Sequence, residues 1–403
     1  MDLRTTARQR GDGTGNTIIE ITMEPSDSLA AMTRRKSTPP TLSEVARRAG
    51  VGTTTVSRVI NGGHRVSPET LERVQGAIEA LGYVPNQAAR ILKGYRTRTV
   101  GLIIPSIADP FFSECAEAIQ AVARANDSLL IVTTTQNDPR AEIDNINVLM
   151  EHRADGLIIA PANSNSQMLR QVVSTLGVPV VAIDRPIAQS AVLAVVANNF
   201  RGAALATQHL IDHGYKRILC LTGESTLYTI RERIMGYSRT MEAAGLEVLL
   251  DTSVKDYRSA EHAIESFLSA GDSPAAIFTL KNSTTIYVFE SLQKFNVAIP
   301  GSVALLGYDD FELASTVRPS ISVVEQPIEE IARVAAEALF GDLLEDRSTG
   351  RRSSKPGQMT LDVRLVPRSS CGCSPRRPEA AGTDAVWNGD KRDGLKGRGG
   401  RRS

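Results

Sequence analysis

Thr41-Leu-Ser-Glu-Val-Ala-Arg-Arg-Ala-Gly50-Val-Gly-Thr-Thr-Thr-Val-Ser-Arg-Val-Ile-Asn61 is the stretch from which the rest of the chain can be read. Thr41 stands three residues ahead of Glu44, so each side chain can satisfy one orphan amide at a helix start. Val45, Ala46 and Ala49 then share a face, and Gly50 supplies the backbone freedom for a sharp turn. A second helix is predicted from Gly52 to Asn61, with Val56, Val59 and Ile60 inward and Thr53, Thr54, Ser57 and Arg58 outward. Small polar and basic side chains on the second helix of such a pair hydrogen-bond base edges and phosphates in the major groove. A third helix is signalled by Ser67 as cap, Pro68 at the first helical position, Glu69 in the first turn and Gly82 as stop, with Leu71, Val74, Ile78 and Leu81 as its apolar stripe.

Charge supports this reading once it is divided by segment. The net charge is only +1, but residues 34–98 hold 12 Lys and Arg against 4 Asp and Glu, whereas 99–366 hold 22 against 32. A basic head on an acidic body is the footprint of a nucleic-acid binder whose body stays off the backbone. Past the head, the segment Pro85 to Gly94 has Asn86 as a cap and Gly94 as a stop. A helix so short is marginal alone, because isolated helices need about 12–15 residues, so it is expected to order only on DNA.

From Thr99 the pattern changes to apolar runs alternating with amphipathic helices. Val100–Ile104, Leu129–Val132, Gly156–Ile159 and Val178–Ile183 read as buried parallel strands. The series then restarts with Val192–Val196, Ile218–Leu221, Ala275–Phe278 and Val303–Leu306. Two doubly wound α/β halves imply a cleft with ligands at the carboxyl ends of the strands. A strand returning near 318–327, a helix through Ile331 to Leu339 and a closing strand from Leu361 to Val366 make both halves discontinuous.

The head, the hinge phrase Gly82-Tyr-Val-Pro-Asn-Gln-Ala-Ala-Arg-Ile-Leu92 and the body phrases Asp109-Pro-Phe-Phe112, Asp184-Arg-Pro186, Arg231-Glu-Arg233-Ile-Met-Gly236 and Gly307-Tyr-Asp-Asp310 together resemble the lactose-repressor family of bacterial transcription factors over about residues 40–373. The resemblance implies an all-α helix-turn-helix head and hinge helix joined to a two-subdomain effector domain similar to periplasmic sugar-binding proteins. It implies DNA contacts from Thr41, Gly52, Thr53, Thr54, Thr55, Ser57, Arg58, Asn61, Arg65, Tyr83, Asn86, Ala89 and Leu92, the last as a minor-groove wedge. It implies effector contacts from Phe111, Arg185, Arg233, Lys281, Asn282 and Asp309. Sugar hydroxyls suit that set, since carboxylates accept from them, guanidinium groups donate, and an aromatic face lies under the ring. Three positions depart from the family pattern: Gly52 replaces the usual Ser cap, Asp109 an Asn, and Lys281-Asn282 stands where relatives commonly have Asn-Asp. The last change opens the site to an acidic or phosphorylated effector if Lys281 faces the ligand and not solvent.

The implied organisation is a disordered leader over 1–38, with Met32 a plausible start and Arg34-Arg35-Lys36 a basic arm; the head over 39–84; the hinge over 85–97; and the effector and dimerisation domain over 98–367. The halves of that domain are 98–195 with 322–347 and 196–321 with 348–367, and a disordered tail over 368–403 follows. The partners expected are a pseudo-palindromic double-stranded operator, a small effector of sugar type and a second copy of the chain; no heptad leucines in the tail support a tetramer. The absence of an apolar run of about 18 residues argues against a membrane span, and a cytoplasmic setting is expected.

Enzyme signatures are missing: no Gly-x-Gly-x-x-Gly follows a strand, there is no phosphate loop, and Gly223-Glu-Ser-Thr fails as a nucleophile elbow at its last position. No cofactor or metal is expected. Cys115, Cys220, Cys371 and Cys373 are too scattered for a disulfide framework, and Cys371-Gly-Cys373 is narrower than a zinc knuckle and has no second pair. His209 and His213 share a helix face but read as structural.

Overall fold

The computed structural model describes residues 3–11, 17–25, 40–60, 66–84, 96–271, 274–345 and 357–373. The chain forms two compact units, Met1–Tyr95 and Arg96–Ser403. No helix among the described residues is long and apolar enough to cross a membrane.

In the first unit, β1 (Leu3–Gly11) and β2 (Thr17–Pro25) pair antiparallel, with Leu3 opposite Pro25 and Gly11 opposite Thr17. This corrects the expectation of a wholly disordered leader. The run Thr17-Ile-Ile-Glu-Ile-Thr22 is dense in β-branched residues, which favour a pleated ladder. The head follows as α1 (Leu42–Ala49), α2 (Thr53–Ile60) and α3 (Pro68–Leu81). Thr41 closes a capping box, its hydroxyl accepting from the Glu44 amide at 3.3 Å while its own amide donates to the Glu44 carboxylate at 2.6 Å. Those bonds hold the Glu44 carboxyl below its ordinary range. Gly50, at φ 64°, turns the chain in the left-handed region. Val45, Ala46, Ala49, Val56, Val59, Val74 and Ala77 make the core, and Leu71, Ile78 and Leu81 pack at its margin.

The second unit begins with β3 (Thr99–Ile104), α4 (Pro110–Ala125), β4 (Leu129–Thr134), α5 (Pro139–Glu151), β5 (Gly156–Ile159), α6 (Gln167–Thr175), β6 (Val180–Ile183) and β7 (Leu193–Ala197). It continues with α7 (Asn199–Asp212), β8 (Arg217–Leu221), α8 (Tyr228–Ala243), β9 (Leu249–Asp251), α9 (Tyr257–Ser269), β10 (Ala275–Thr279), α10 (Asn282–Lys294) and β11 (Val303–Tyr308). After a 3-10 turn at Glu312–Ser315 come β12 (Ser322–Glu325), α11 (Ile328–Glu345), β13 (Gln358–Leu361) and β14 (Arg364–Val366). The first sheet runs β4-β3-β5-β6-β7-β13 and the second β9-β8-β10-β11-β12-β14, so each half repeats one strand order. All pairings are parallel except β12 with β14. Central strands such as β5 and β6 are buried throughout, which is why they read as unbroken apolar runs.

The division between halves differs from the expected one. Ser322–Glu325 belongs to the second sheet, where Val324 pairs with Tyr308, and only α11 returns to pack on the first. The closing strand is two: β13 adds to β7 of the first sheet and β14 to β12 of the second. Ser322–Glu325 is buried along nearly its whole length, and a strand buried on both faces gives no sign of which sheet it joins. Among the described residues the chain therefore passes between halves at 197–199, 325–328 and 361–364. Nor does the ordered chain stop at 367: Ser370 and Cys371 are fully buried, and Ser370 bonds Leu305 and Ser322.

Gly236 sets how closely α7 and α8 approach. A Cβ there would strike the Phe200 carbonyl oxygen and crowd Ala203 at 3.0 Å. Because the obstacle is backbone, one helix must move. Gly236→Ala should cost about 1–3 kcal/mol, read as a lower urea midpoint for the body, with the head's unfolding unchanged. An unaltered body midpoint would show that the two helices are not locked at this point.

Candidate DNA-reading helix and effector site

On α2, Thr53, Thr54 and Arg58 are exposed, as is Gly52 before it, while Thr55 and Ser57 are half-buried. Gly52 does start the helix, its carbonyl accepting from the Thr55 and Val56 amides at 2.9 and 3.2 Å. Arg47 and Arg48, in the last turn of α1, extend the exposed basic surface. Two expected DNA contacts have structural work in this unit. Thr41 spends its hydroxyl on the capping box, and Tyr83 is 8% exposed with its ring in the head's core, its amide donating to Ile78 at 3.0 Å as α3 ends. Asn61, Arg65, Asn86, Ala89 and Leu92 lie outside the described residues.

In the body, loops at the strand ends converge on a cavity of about 160 Å³. Phe111, Arg185, Arg233, Lys281 and Asp309 all line it; Asn282 does not, its side-chain oxygen taking the Ser283 amide at 2.6 Å in the first turn of α10. Asp184 and Asp309 sit just past β6 and β11 at φ 65° and 71°. Each of their amides bonds the neighbouring strand, to Val195 and Val324 respectively. Left-handed aspartates at matching places in the two halves turn their carboxylates back over the sheet ends, and such local strain gathers at functional sites.

Arg233 is 4% exposed. Its Nε donates to Asn199 Oδ1 at 2.7 Å, and its Nη1 donates to the Leu280 carbonyl at 2.7 Å and to Asp309 Oδ2 at 3.1 Å. The guanidinium lies 3.6 Å above the Tyr308 ring centre. Burial works against this charge, but Asp309, Tyr308 and Asp184 outweigh it and hold the group even further from deprotonation. Gln326 Nε2 donates to the other Asp309 oxygen at 2.6 Å. In the first half, Arg185 donates to Asp184 at 2.9 Å, Asn137 at 2.8 Å and the Pro161 carbonyl at 3.0 Å. Burial raises the Asp184 carboxyl, with Arg185 and Arg233 pulling the other way.

Lys281 does not simply face solvent. Its ammonium stands 3.6 Å from Asp109 of the first half and 3.6 Å from Glu224 of the second. Asp109 also caps α4, accepting from the Phe111 amide at 3.2 Å, and burial pushes its carboxyl up while Lys281 draws it down. With four carboxylates (Asp109, Asp184, Glu224, Asp309) against three cations (Arg185, Arg233, Lys281), the lining is close to neutral. A wider groove of about 920 Å³ shares Asp309 and Gln326, but Glu114, Asp310, Glu312, Glu325, Glu329 and Glu330 crowd it. Its two arginines are already engaged, Arg368 with Asp310 and Arg333 with Glu337, which leaves the acidic groups in excess.

Sequence reading passed over Asn137, Asn199, Tyr308 and Gln326, whose types carry no signal without the fold, and also Glu142. The Glu142 carboxyl is fully buried beside the site, where it accepts from the Ala162 amide at 2.7 Å. Burial lifts its pKa from 4.5 to about 7, against the Ala162 bond and Arg185. The stability it contributes is thus complete below about 4.5 and is lost as pH rises through about 7. Glu142→Gln keeps the Ala162 bond and should flatten the fall in melting temperature between those pH values. The same slope in the variant would assign it to other groups.

The chain matches the model for bacterial regulatory proteins of the lacI family over residues 41–86, and that for periplasmic binding proteins and the sugar-binding domain of the LacI family over residues 97–359. It is 33% identical over 304 residues to the ribose operon repressor of Escherichia coli K12, spanning 74% of this chain and 92% of that one. It is 30% identical over 315 residues to the HTH-type transcriptional repressor PurR of Aliivibrio salmonicida, spanning 77% and 94%. Among solved structures, a transcriptional regulator CelR–cellobiose complex aligns at TM-score 0.60 and 30% identity, covering 82% of this chain and 99% of that one. The lac repressor dimer bound to operator and an anti-inducer aligns at 0.73 and 24%, covering 83% and 99%. A helix-turn-helix head, a paired α/β body with a lined cleft and these matches place the chain in the LacI family of ligand-controlled, DNA-binding transcriptional regulators.

Proposed function

We propose that the chain is a cytoplasmic repressor without enzymatic activity, which binds a pseudo-palindromic operator as a homodimer and takes a neutral sugar or sugar derivative between the halves of its body. The buried Arg233–Asp309 pair at the strand ends carries this reading. It sets a donor beside an acceptor, the pattern that vicinal hydroxyls complete, and Phe111 adds an apolar face. The near balance of charge around the cavity favours a neutral ligand over a phosphorylated one, because Lys281 is flanked by two carboxylates. The ribose operon repressor and the CelR–cellobiose complex, to which the chain is similar, are both named for neutral sugars. Thr53, Thr54 and Arg58 are the proposed readers of base edges, with Gly52, Thr55 and Ser57 letting α2 lie close.

Thermal-shift screening with neutral sugars, sugar phosphates and nucleobases names the effector class; stabilisation by sugar phosphates alone would overturn the neutral-ligand reading. With the effector in hand, Arg233→Ala and Asp309→Ala should abolish its effect on operator binding, while ligand-free operator affinity stays near that of the unmodified chain. A full ligand response in both variants would remove these residues from the site. On the DNA side, base contacts carry roughly 1–3 kcal/mol of discrimination each. Replacing Thr53 and Thr54 together should therefore change the sequence selected from random duplexes, and an unchanged consensus would contradict the proposed docking.

A further inference from the structure

We propose that His209, His213, Cys371 and Cys373 form a tetrahedral binding site for a borderline transition-metal dication, Zn2+ above all. The two pairs are some 160 residues apart in sequence, and neither makes a complete site alone. The fold brings their four ligand atoms within 4.8 Å of one another. His209 Nε2 lies 3.2 Å from Cys371 Sγ and 3.6 Å from Cys373 Sγ, and His213 Nε2 lies 3.2 Å from Cys373 Sγ. Zinc bonds of about 2.0–2.3 Å at tetrahedral angles imply ligand-to-ligand separations of about 3.3–3.8 Å. The cluster is already at that scale.

Local structure explains how the ligands come to face one another. His209 and His213 are one turn apart at the C-terminal end of α7, with ring centres 4.6 Å apart and edge to face. Their three-residue spacing falls within the range usual for zinc-binding histidine pairs. On the other side, Ser370 anchors the segment after β14: its amide donates to Ser320, its carbonyl accepts from Leu305, and its hydroxyl is shared between Leu305 and Ser322. Cys371 is thereby held fully buried. Gly372, at φ 98°, supplies the left-handed turn that sends both thiols toward α7, and a Cβ there would approach the Tyr215 hydroxyl at 3.1 Å. This is how the narrow Cys-x-Cys spacing becomes usable.

The donor set selects the metal. Two thiolates and two imidazoles in a compact tetrahedral arrangement suit Zn2+, and oxygen-seeking Mg2+ and Ca2+ find no ligand of their kind in it. Two thiolates also neutralise the dication, so its partial burial leaves no net charge. Bound there, the metal staples the last described residues to the C-terminal end of α7, whose N-terminal Asn199 holds Arg233. The site is structural, since four protein ligands leave no open position.

The test uses the full chain, purified under reductant, stripped with a chelator and titrated with Co2+. The expected result is a thiolate-to-cobalt charge-transfer band with intense tetrahedral d–d absorption, saturating at one Co2+ per chain and bleached by added Zn2+. Cys371→Ser combined with Cys373→Ser should remove the charge-transfer band. His213→Ala, at an exposed helix end where folding is safe, should weaken Co2+ binding at least tenfold. Zn2+ should raise the melting temperature of the unmodified chain and leave that of His213→Ala nearly unmoved at the same concentration. No charge-transfer band, unaltered Co2+ affinity in His213→Ala, or a Cys371–Cys373 disulfide that persists under reductant would each overturn the proposal.

Discussion

Arg233 brings into the body a charge that no pH within reach can remove, and much of the second unit is arranged to make that tolerable. A guanidinium stays protonated in proteins, so its burial obliges the surroundings to provide both a counter-charge and acceptors. Asp309 supplies the first, Asn199 and the Leu280 carbonyl the second, and the Tyr308 ring covers one face. Removing one member of such a buried pair typically costs about 3–5 kcal/mol, because the partner is left uncompensated. Gly236, one turn along α8, lets the helix settle onto α7 closely enough for Arg233 to meet Asn199.

The members of this cluster also sit where the chain changes halves. Asn199 opens α7 at the first crossing, Gln326 holds Asp309 at the second, and Asp362 at the third accepts from Asn198 at 3.1 Å and pairs with Arg201 at 2.7 Å. Lys281 adds a more exposed tie across the cleft to Asp109. On the proposed reading, a ligand that competes for Asp309 and Arg233 acts on the segments about which the halves turn. A ligand shifts such an equilibrium only by its difference in affinity for the two arrangements. The nearly neutral, largely paired lining of the cavity fits a site that exchanges protein hydrogen bonds for ligand ones.

Much of this was legible in the chain. Apolar runs located the strands, and the caps Thr41 and Ser67 with the stops Gly50 and Gly82 located the head helices, since those signals are local and have direct physical causes. Five of the six expected cleft residues line one cavity, because motifs at strand ends are carried to the same edge by a doubly wound sheet. What stayed hidden depended on distant parts of the chain. The sheet to which β12 belongs, the core role of Tyr83, and the buried Glu142 on an otherwise amphipathic helix leave no periodic trace. The Cys-x-Cys pair is narrower than a zinc knuckle, and the His pair, though at a usable spacing, has no partner ligand nearby in the sequence. Here two half-sites meet only after the last strand has closed the second sheet.

The central claim is that cleft and operator are linked through one buried ionic cluster. Thermodynamic linkage requires that the effector change operator affinity by the same factor by which operator changes effector affinity, typically through about 1–3 kcal/mol of coupling. The direct measurement is a pair of titrations on the unmodified chain, operator with and without saturating effector and effector with and without saturating operator. The account predicts equal factors well away from one. A factor of one in both titrations, with effector bound in the cleft, would contradict it.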